Sequence, residues 1–405
     1  MATTPQVRKA ISLFSGCGGD TLGLERAGFK VVAFNEFNKA SINTHLTNFT
    51  DSVLITENEK GGSDITKVPD TKFEPYKGQI DVVFAGFPCQ GFSTAGKKKV
   101  NDPRNQMFRQ FVRVVKITES PFLIGENVTG LTTMKSGPRE EDPLMLEIIR
   151  QAFDEIGYTI THKVLEADDY GVPQSRKRLL IIGWRRSVIQ SFDPTSFWAA
   201  VAAWGAQKTA PKLAEFVTAS LEGALLLDEK AIPPDFVNVA ITVPNELEPT
   251  GTPHSYVVLK ANEFDATYQE KTFDRLLSCG KRDSPIHSEV LNLTKPCKTI
   301  ICTYDHQPRL LVGLKKEDGR CYVRTLLPDE LKQVQGFPAN FVLKGNVKEK
   351  VVQVGNAVPP ALVEAVATQL RLKLETSLEP STASSPAKVK VTRRLKKVVP
   401  QSEST

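Results

Sequence analysis

The amino-acid sequence predicts an α/β protein whose core is a parallel sheet with helices on both faces. Over residues 1–184, short apolar runs suited to strands alternate with amphipathic stretches suited to helices. Several of the strands end in glycine-rich or acidic segments, as at residues 15–19 and at Glu36. Such alternation is typical of parallel sheets, whose ligands bind at the carboxyl ends of the strands. We therefore expect the functional residues to follow strands.

The individual elements follow from the spacing of the apolar residues. Residues 9–14 are the first predicted strand, and apolar residues at 22, 24, 27 and 29 predict a helix that Gly28 closes. The further predicted strands are 31–34, 81–85, 122–124, 160–166 and 178–183, and the further predicted helices are 105–118, 143–156 and 361–370.

The domain organisation follows from where the alternation weakens. Residues 185–295 lack clear periodicity, and we predict a second, smaller and variable domain there. Order returns over residues 296–375, where we expect the last helix to pack back on the first domain. Residues 376–405 are rich in Ser, Thr, Pro and Lys, and we expect a disordered basic tail.

Composition indicates an intracellular protein. Of the 405 residues, 40% are hydrophobic and 24% charged, and no apolar run reaches the roughly 20 residues of a membrane span. The first ten residues lack the apolar region of a secretory signal. Most of the net charge of +6 belongs to the tail, because eight basic and three acidic residues lie from Arg371 onward. A folded region that binds nucleic acid therefore needs a local basic face.

The six cysteines show neither a C-x-x-C pair nor a companion histidine cluster. This distribution argues against a zinc site and against a disulfide framework, and it predicts that most of the cysteines are small buried hydrophobes. Cys89 is the exception because of its surroundings.

The first candidate motif is Phe14-Ser-Gly-Cys-Gly-Gly19, between a strand and a helix. Glycines there let the backbone approach a ligand, and a helix N-terminus favours negative groups. Glu36 ends the next strand, where a carboxylate can hold ribose hydroxyls. The pattern fits a nucleotide-like cofactor, although a plain structural turn would look similar and the spacing is not that of a dinucleotide site.

The second motif, Gly86-Phe-Pro-Cys-Gln-Gly-Phe-Ser93, follows a predicted strand directly. Cys89 would stand at the mouth of the site, where a thiolate is a strong nucleophile if its pKa is lowered. The alternative is an inert buried thiol, which the glycines and the lysines at 97–99 disfavour. These lysines suggest a mobile loop that closes over a phosphate backbone.

Two further segments point to the same edge. Glu126-Asn-Val128 follows another strand, and its carboxylate is either a helix cap or a proton donor with a raised pKa. In Gln174-Ser-Arg-Lys-Arg178, alternation places Arg176 and Arg178 on one face of a strand. Guanidinium groups that face an apolar interior need acidic or substrate partners, whereas a solvent-facing edge needs none.

These motifs, in this order, closely resemble the DNA cytosine-5 methyltransferase family. The resemblance covers residues 9–184 and 296–370, and Gly355-Asn356-Ala-Val358 followed by Pro359 belongs to it. A further matching block consists of Arg324, Leu326, Pro328, Glu330 and Gln335-Gly-Phe-Pro338. The resemblance implies a Rossmann-like S-adenosylmethionine-dependent methyltransferase fold with a smaller target-recognition domain at 185–295.

The resemblance also implies how the reaction proceeds. A cytosine flips out of double-stranded DNA, Cys89 attacks C6, and Glu126 hydrogen-bonds or protonates N3. Arg178 would hold O2 of the base, while Arg176 would support the carboxylate and the cysteine loop. The methyl group would come from S-adenosylmethionine, no metal would be required, and we expect a monomer that binds no membrane.

The cofactor contacts are carried over position by position. The implied residues are Phe14, Ser15, Gly16, Cys17, Gly18 and Gly19 around the methionine part, Glu36 and Phe37 at the ribose and adenine, Asp64 and Ile65 at the adenine edge, Gly86 and Pro88 along the transfer path, and Asn356 and Val358 near the amino-acid end. Ser12 and Ala357 depart from the family, which often has an acidic residue and a serine at these positions.

Two alternatives differ in substrate or activity. A tRNA cytosine-5 methyltransferase shares these motifs, but such enzymes typically carry a Cys-Phe-Thr motif that this sequence lacks. A catalytically inactive DNA-binding scaffold would be signalled by loss of Cys89, Glu126 or the arginines, all of which are present. The target sequence and the choice between restriction–modification, orphan, viral and eukaryotic regulatory roles stay open, and with them a cytoplasmic or nuclear location.

Overall fold

The computed structural model describes residues 7–59, 61–88, 107–137, 139–229, 232–252, 277–279, 288–304 and 309–378. The strands are β1 Arg8–Leu13, β2 Phe29–Asn35, β3 Val53–Leu54, β4 Val82–Ala85, β5 Phe122–Asn127, β6 Tyr158–Glu166, β7 Gln174–Ser175, β8 Lys177–Arg185, β9 Leu225–Leu226, β10 Ile241–Val243, β11 Leu277–Cys279, β12 Ser288–Val290, β13 Cys297–Lys298, β14 Leu310–Lys316 and β15 Cys321–Thr325. The α-helices are α1 Gly19–Arg26, α2 Lys39–Asn48, α3 Phe108–Thr118, α4 Met145–Asp154, α5 Pro194–Gly205, α6 Phe236–Val239, α7 Pro328–Val334, α8 Val347–Asn356 and α9 Pro360–Leu378.

Seven strands form the first sheet, in the order β3-β2-β1-β4-β5-β8-β6. The pairs from β3 to β5 are parallel, as the alternation of strands and helices predicts. The last two pairs, β5 with β8 and β8 with β6, are antiparallel, so the expectation of an entirely parallel sheet is wrong at this edge. Ten residues separate Glu166 from Lys177. Since a parallel crossover needs a dozen or more residues, the chain turns back instead.

Apolar side chains on the two faces of the first sheet form two separate cores. Ala10, Phe84 and Ile124 face α1, α5 and α9, whereas Ile11, Val83 and Leu123 face α3 and α4. Neighbouring strand residues point to opposite faces, so each strand contributes to both cores. The predicted covering of both faces by helices is confirmed.

A second sheet, β11-β12-β14-β15-β9 with β10 beside β14, lies C-terminal to the first. It extends to Thr325, and thus includes strands beyond residue 295, the end of the predicted variable domain. The periodicity of 310–316 could not reveal this, because assignment to a sheet depends on pairing partners rather than on the local pattern. Among the described residues, no helix is long and apolar enough to cross a membrane.

Helix boundaries differ from the predicted ones at both ends of the chain. The first helix begins at Gly19, directly in the glycine segment, and ends at Arg26, while Phe29 already belongs to β2. The last helix, predicted over 361–370, continues to Leu378, because Leu374 extends its buried stripe by one turn. Residues 376–378 are therefore helical rather than part of the tail, and 379–405 lie outside the described residues.

Helix α9 packs on α1 through a close approach at Gly23. A Cβ on Gly23 would lie 2.4 Å from the carbonyl O of Pro360 and 2.7 Å from Cβ of Val363. Backbone atoms cannot move away as side chains can. Helices α1 and α9 can therefore pack this closely only when residue 23 is glycine.

We predict that Gly23→Ala lowers the free energy of unfolding by about 1–3 kcal/mol, the usual cost of overpacking. Alanine favours a helix over glycine by about 1 kcal/mol, but this gain is smaller than the cost of separating the two helices. Urea unfolding measures the change, and Glu25→Ala on the exposed side of α1 is the control. A stabilised Gly23→Ala variant would contradict the tight contact.

Candidate active site

The carboxyl ends of four parallel strands form one row along the edge of the first sheet. Leu13 lies opposite Asn35 and Ala85, and Ala85 lies opposite Gly125. The sequence motifs directly follow these four residues, as the turn 14–19, Glu36, the segment 86–88 and Glu126. The expectation that they meet at one edge is therefore confirmed.

The glycine turn, residues 14–19, is tightly packed on one side and open on the other. A Cβ on Gly18 would lie 2.4 Å from Cε2 of Phe49, and one on Gly19 would lie 2.4 Å from the carbonyl O of Val358. At Gly16, which has φ 55°, a Cβ would meet no described atom within 4 Å. The packing thus requires glycine at 18 and 19, while Gly16 borders open space.

Glu36 has a buried carboxylate that closes this turn. Its oxygens accept hydrogen bonds from the backbone N–H groups of Gly16, Phe37 and Asn38, each at 2.8 Å. Burial raises the pKa of Glu36, although the three N–H donors oppose this shift. A carboxylate has about four acceptor positions, so one remains for a further hydroxyl donor. Beside it, Phe37 is 75% exposed.

The segment that carries Asp64 and Ile65 is tied to the end of β2. The Asn35 side-chain amide donates to the carbonyls of Ile55 and Ser63, at 3.0 and 3.1 Å. Ile65 is buried, whereas the Asp64 carboxylate is partly exposed and accepts from Thr66, which lowers the pKa of Asp64. Both residues thus lie in a loop anchored to the strand that ends at Glu36.

These features fit a cofactor with a nucleoside and an amino-acid end. The exposed ring of Phe37 offers a flat apolar surface to a base, and Glu36 offers a fixed acceptor to ribose hydroxyls. The open side of Gly16 leaves space for close approach of the ligand to the backbone. Cys17 faces away from this space. It is 1% exposed, and burial raises its thiol pKa to about 12.

Glu126 and Arg178 form an ion pair at the end of β5. Arg178 Nε lies 2.9 Å from Glu126 Oε1, and their side chains are only 14% and 13% exposed. Burial raises the pKa of Glu126, and the guanidinium groups of Arg178 and Arg176 oppose that shift. Because burial prevails, the carboxyl group takes up a proton more readily than an exposed glutamate would.

Gly86 lies between this ion pair and the glycine turn. A Cβ on Gly86 would lie 3.6 Å from Glu126 Oε2 and 3.7 Å from the carbonyl O of Phe14. The Asn127 side-chain amide donates to the carbonyl of Phe87 at 3.0 Å, which holds the segment just before Pro88. The sequence predicts no role for Asn127, and only its position directly after Glu126 could have indicated one.

Arg176 is completely buried and joins distant parts of the chain. Nη1 donates to the carbonyl of Ile300 at 2.7 Å, and Nη2 donates to those of Gly355 and Ala357 at 2.9 and 3.0 Å. It lies in the one-residue break between β7 and β8, so the expectation that Arg176 and Arg178 belong to one strand is wrong, although both guanidinium charges act on Glu126. Its effect on Glu126 is electrostatic.

The segment 355–358 lies against the glycine turn through the contact between Val358 and Gly19. Asn356 is exposed there, and Val358 is buried. The Gln335 side chain bridges from the carbonyl of Ala357 to Gln174. The structure thus brings both predicted C-terminal cofactor residues to the turn, although they follow it by more than 330 positions.

Cys89 lies outside the described residues, which end at Pro88 and resume at Met107. Of the described cysteines, Cys17, Cys297 and Cys321 are buried and free, and Cys302 is half-buried and free. In the part of the chain that the structure describes, no group of three His, Cys, Asp or Glu side chains could hold a metal ion.

Comparison with known proteins gives one consistent result. The family model for C-5 cytosine-specific DNA methylase matches residues 8–371. The type II methyltransferase M1.HphI of Haemophilus parahaemolyticus is 31% identical over 91% of this chain and 87% of its own. M.NgoPII of Neisseria gonorrhoeae is 30% identical over 92% of this chain and 98% of its own. The crystal structure of the S. pombe Dnmt2 methyltransferase shares the fold, with a TM-score of 0.57, 14% identity, and coverage of 91% and 99% of the two chains.

We predict that Arg176→Met costs far more stability than Arg178→Met. The first change removes the Arg176 donor from the carbonyls of Ile300 and Gly355, while that of Ala357 keeps its bond from Gln335, and each buried group left unsatisfied costs about 1–3 kcal/mol. The second change breaks a buried ion pair, but the Glu126 carboxyl group can then take up a proton, so that no unpaired charge stays buried. Urea unfolding of both variants gives the comparison. Equal losses would show that the carbonyl contacts of Arg176 do not join the two regions.

Proposed function

We propose that this chain, which belongs to the C-5 cytosine-specific DNA methylase family and is a DNA (cytosine-5-)-methyltransferase, uses S-adenosylmethionine and a covalent adduct of Cys89. The observation that carries the proposal is the position of Gly86. A Cβ built on Gly86 would lie within 4 Å of both the carbonyl O of Phe14 in the glycine turn and the Glu126 carboxylate. A cofactor at the turn and a base at Glu126 would therefore be immediate neighbours.

The glycine turn, Glu36 and Phe37 would hold the methyl donor, together with Asp64, Ile65, Asn356 and Val358. When bound, S-adenosylmethionine supplies a methyl group made electrophilic by its sulfonium. Gly86 and Pro88 would line the path to the base, because Gly86 has no side chain that could fill it. Three features support binding of S-adenosylmethionine at the turn: the open side of Gly16, the exposed ring of Phe37 and the remaining acceptor position of Glu36.

Cytosine needs activation, since C5 of the neutral ring is a weak nucleophile. The Cys89 thiolate would form a bond to C6 of a flipped base, and the electrons of the C5–C6 double bond would move toward C5. Glu126 would supply a proton or hydrogen bond at N3, so that no full anion develops. Its raised pKa supports this assignment.

The remaining steps restore the ring. After C5 has gained the methyl group, a base removes the C5 proton, the C5–C6 double bond reforms, and the thiolate of Cys89 leaves. Arg178, paired with Glu126 through Nε, would hold O2 of the cytosine. Arg176 would act on Glu126 through its charge and on the segment 355–357 through its hydrogen bonds.

The second sheet and its surrounding segments would recognise the DNA sequence, with residues 185–295 as the predicted core of that region. We also propose that the protein acts as a monomer on double-stranded DNA. Both relatives named above are type II methyltransferases of bacteria, which supports a role in restriction–modification and a cytoplasmic location in a prokaryote. The two alternatives, a tRNA cytosine-5 methyltransferase and a catalytically inactive DNA-binding scaffold, have no comparable support from these relatives.

The nucleophile can be tested with DNA that contains 5-fluorocytosine. Fluorine at C5 cannot be removed as a proton, so the adduct should persist and appear as a covalent protein–DNA band after denaturation. We expect this band with the wild type and with Cys302→Ala, and not with Cys89→Ala. Methyl transfer by Cys89→Ala should also be abolished, while its DNA binding is retained. A persistent band from Cys89→Ala would overturn the assignment.

The role of Glu126 has a separate test. We expect Glu126→Gln to lower the rate of methyl transfer by about 10²–10⁴-fold, the range typical of a positioned acid. Cofactor affinity should change little, because Glu126 lies beyond Gly86 from the turn. Single-turnover rates and equilibrium binding give the two quantities. A rate within a factor of three of the wild type would exclude proton donation by Glu126.

A further inference from the structure

A buried polar network lies directly behind the glycine turn. It consists of Ser12, Ser15, Asp20, Thr21 and His45, none of which is more than 4% exposed. The Asp20 carboxylate accepts hydrogen bonds from the hydroxyls of Ser12, through Oδ2, and of Ser15, through Oδ1 at 3.4 Å. Ser15 belongs to the turn, whereas Ser12 lies in β1 and Asp20 in the first turn of α1.

The network continues away from the turn to a histidine. Thr21 Oγ1 lies 3.4 Å from Ser15 Oγ and 3.0 Å from His45 Nε2. The His45 ring stacks on Phe34 with a centroid distance of 3.6 Å, and burial lowers its pKa to about 3. His45 is therefore neutral at physiological pH and supplies no positive charge to Asp20.

No cation among the described residues pairs with Asp20. Besides His45, titratable groups at the turn are Cys17, whose thiol stays protonated, and Glu36, which binds the N–H of Gly16. Strand β4 carries only apolar residues, and Arg371 and Glu364 of α9 contact the other end of α1 at Ala27 and Arg26. Burial thus raises the pKa of Asp20 to about 7, although the hydroxyls of Ser12 and Ser15 oppose the shift.

We propose that Asp20 is a positioning residue for the glycine turn, and that its ionised form, by holding the hydroxyls of Ser12 and Ser15, prepares the turn to bind S-adenosylmethionine. The inference rests on the proposed use of this cofactor. A carboxylate accepts from both serines, whereas a carboxylic acid must itself donate through one oxygen. When Asp20 takes up a proton, we expect the longer hydrogen bond, from Ser15, to break, because Thr21 offers the Ser15 hydroxyl another partner.

The protonation state of Asp20 matters to the glycine turn because Ser15 carries the one hydroxyl group among residues 14–19. Ser15 lies between Phe14 and Gly16, which have φ 54° and 55°. Its backbone is held by the carbonyl of Asn35 and by the N–H of Gly18. The hydrogen bond from the Ser15 hydroxyl to Asp20 connects the turn to helix α1 as well. Ionisation of Asp20 also places a negative charge near a site for a sulfonium cation.

The sign of the pH effect follows from linkage. If the ionised form binds the cofactor, binding favours loss of the proton, and affinity rises as the pH rises through about 7. With a pKa of about 7, the ionised fraction grows about tenfold between pH 6 and pH 8, so the dissociation constant falls by up to about tenfold.

The test is equilibrium binding of S-adenosylmethionine to the full chain from pH 6 to pH 8, by titration calorimetry. Asp20→Asn cannot ionise, so we expect its binding to be weak and independent of this titration, and the ratio of the two affinities to widen by up to about tenfold from pH 6 to pH 8. Comparison of the two proteins removes the titration of the ligand's own amino group. Near pH 7 the wild type should release more protons on binding than Asp20→Asn does.

Two further variants keep the test decisive if Asp20→Asn is unstable. Ser12→Ala removes a donor to the carboxylate, raises the Asp20 pKa and should move the transition to higher pH. Ser120→Ala removes a buried hydroxyl that has no partner in the described structure, and its curve should match the wild type. Parallel curves for wild type and Asp20→Asn, or an unmoved transition in Ser12→Ala, would overturn the role of Asp20. Absence of binding by the folded wild type would overturn the proposed cofactor as well.

Discussion

The guanidinium group of Arg176 joins the two regions of the chain that form the site. Its hydrogen bonds reach carbonyls that lie 124, 179 and 181 positions away. A buried cation loses its hydration, and these carbonyls replace part of it. The same contacts hold 355–358 against the glycine turn, where Gly19 allows the carbonyl of Val358 to approach. The proposed cofactor side of the site therefore depends on hydrogen bonds from Arg176, which lies beside the ion pair of Glu126 and Arg178 on its other side.

Three buried carboxyl groups surround the glycine turn, and their partners differ. Backbone N–H groups bind Glu36, serine hydroxyls bind Asp20, and a guanidinium binds Glu126. In each case burial raises the pKa and the partner opposes the shift. The rigid backbone donors make Glu36 a fixed acceptor, whereas hydroxyls can rotate when Asp20 takes up a proton. The paired guanidinium keeps Glu126 oriented at the end of β5. Carboxyl groups with similar burial thus have three different kinds of partner.

Residues that directly follow strands could be predicted, and those that act through packing could not. The turn 14–19, Glu36, Gly86 and Glu126 were identifiable because the carboxyl ends of parallel strands share an edge. Asp20 follows the glycines by one position, yet its partner Ser12 lies on a different element. The hydrogen bond from Ser12 in β1 to Asp20 in α1 becomes visible only in the folded chain. Asn127 acquires a role only because the carbonyl of Phe87 lies 3.0 Å from its amide.

The sequence by itself determined the family, the order of the motifs and the sheet edge at which most of them meet. Periodicity and glycine placement act over a few residues, and these patterns are legible without a structure. Only the tertiary structure decided that β6 and β8 run antiparallel, that Arg176 binds carbonyls of the C-terminal region, and that the second sheet reaches Thr325. Each of these features depends on contacts between segments far apart in the chain. Such contacts are selected by burial and hydrogen bonding in the folded protein, and no local pattern records them.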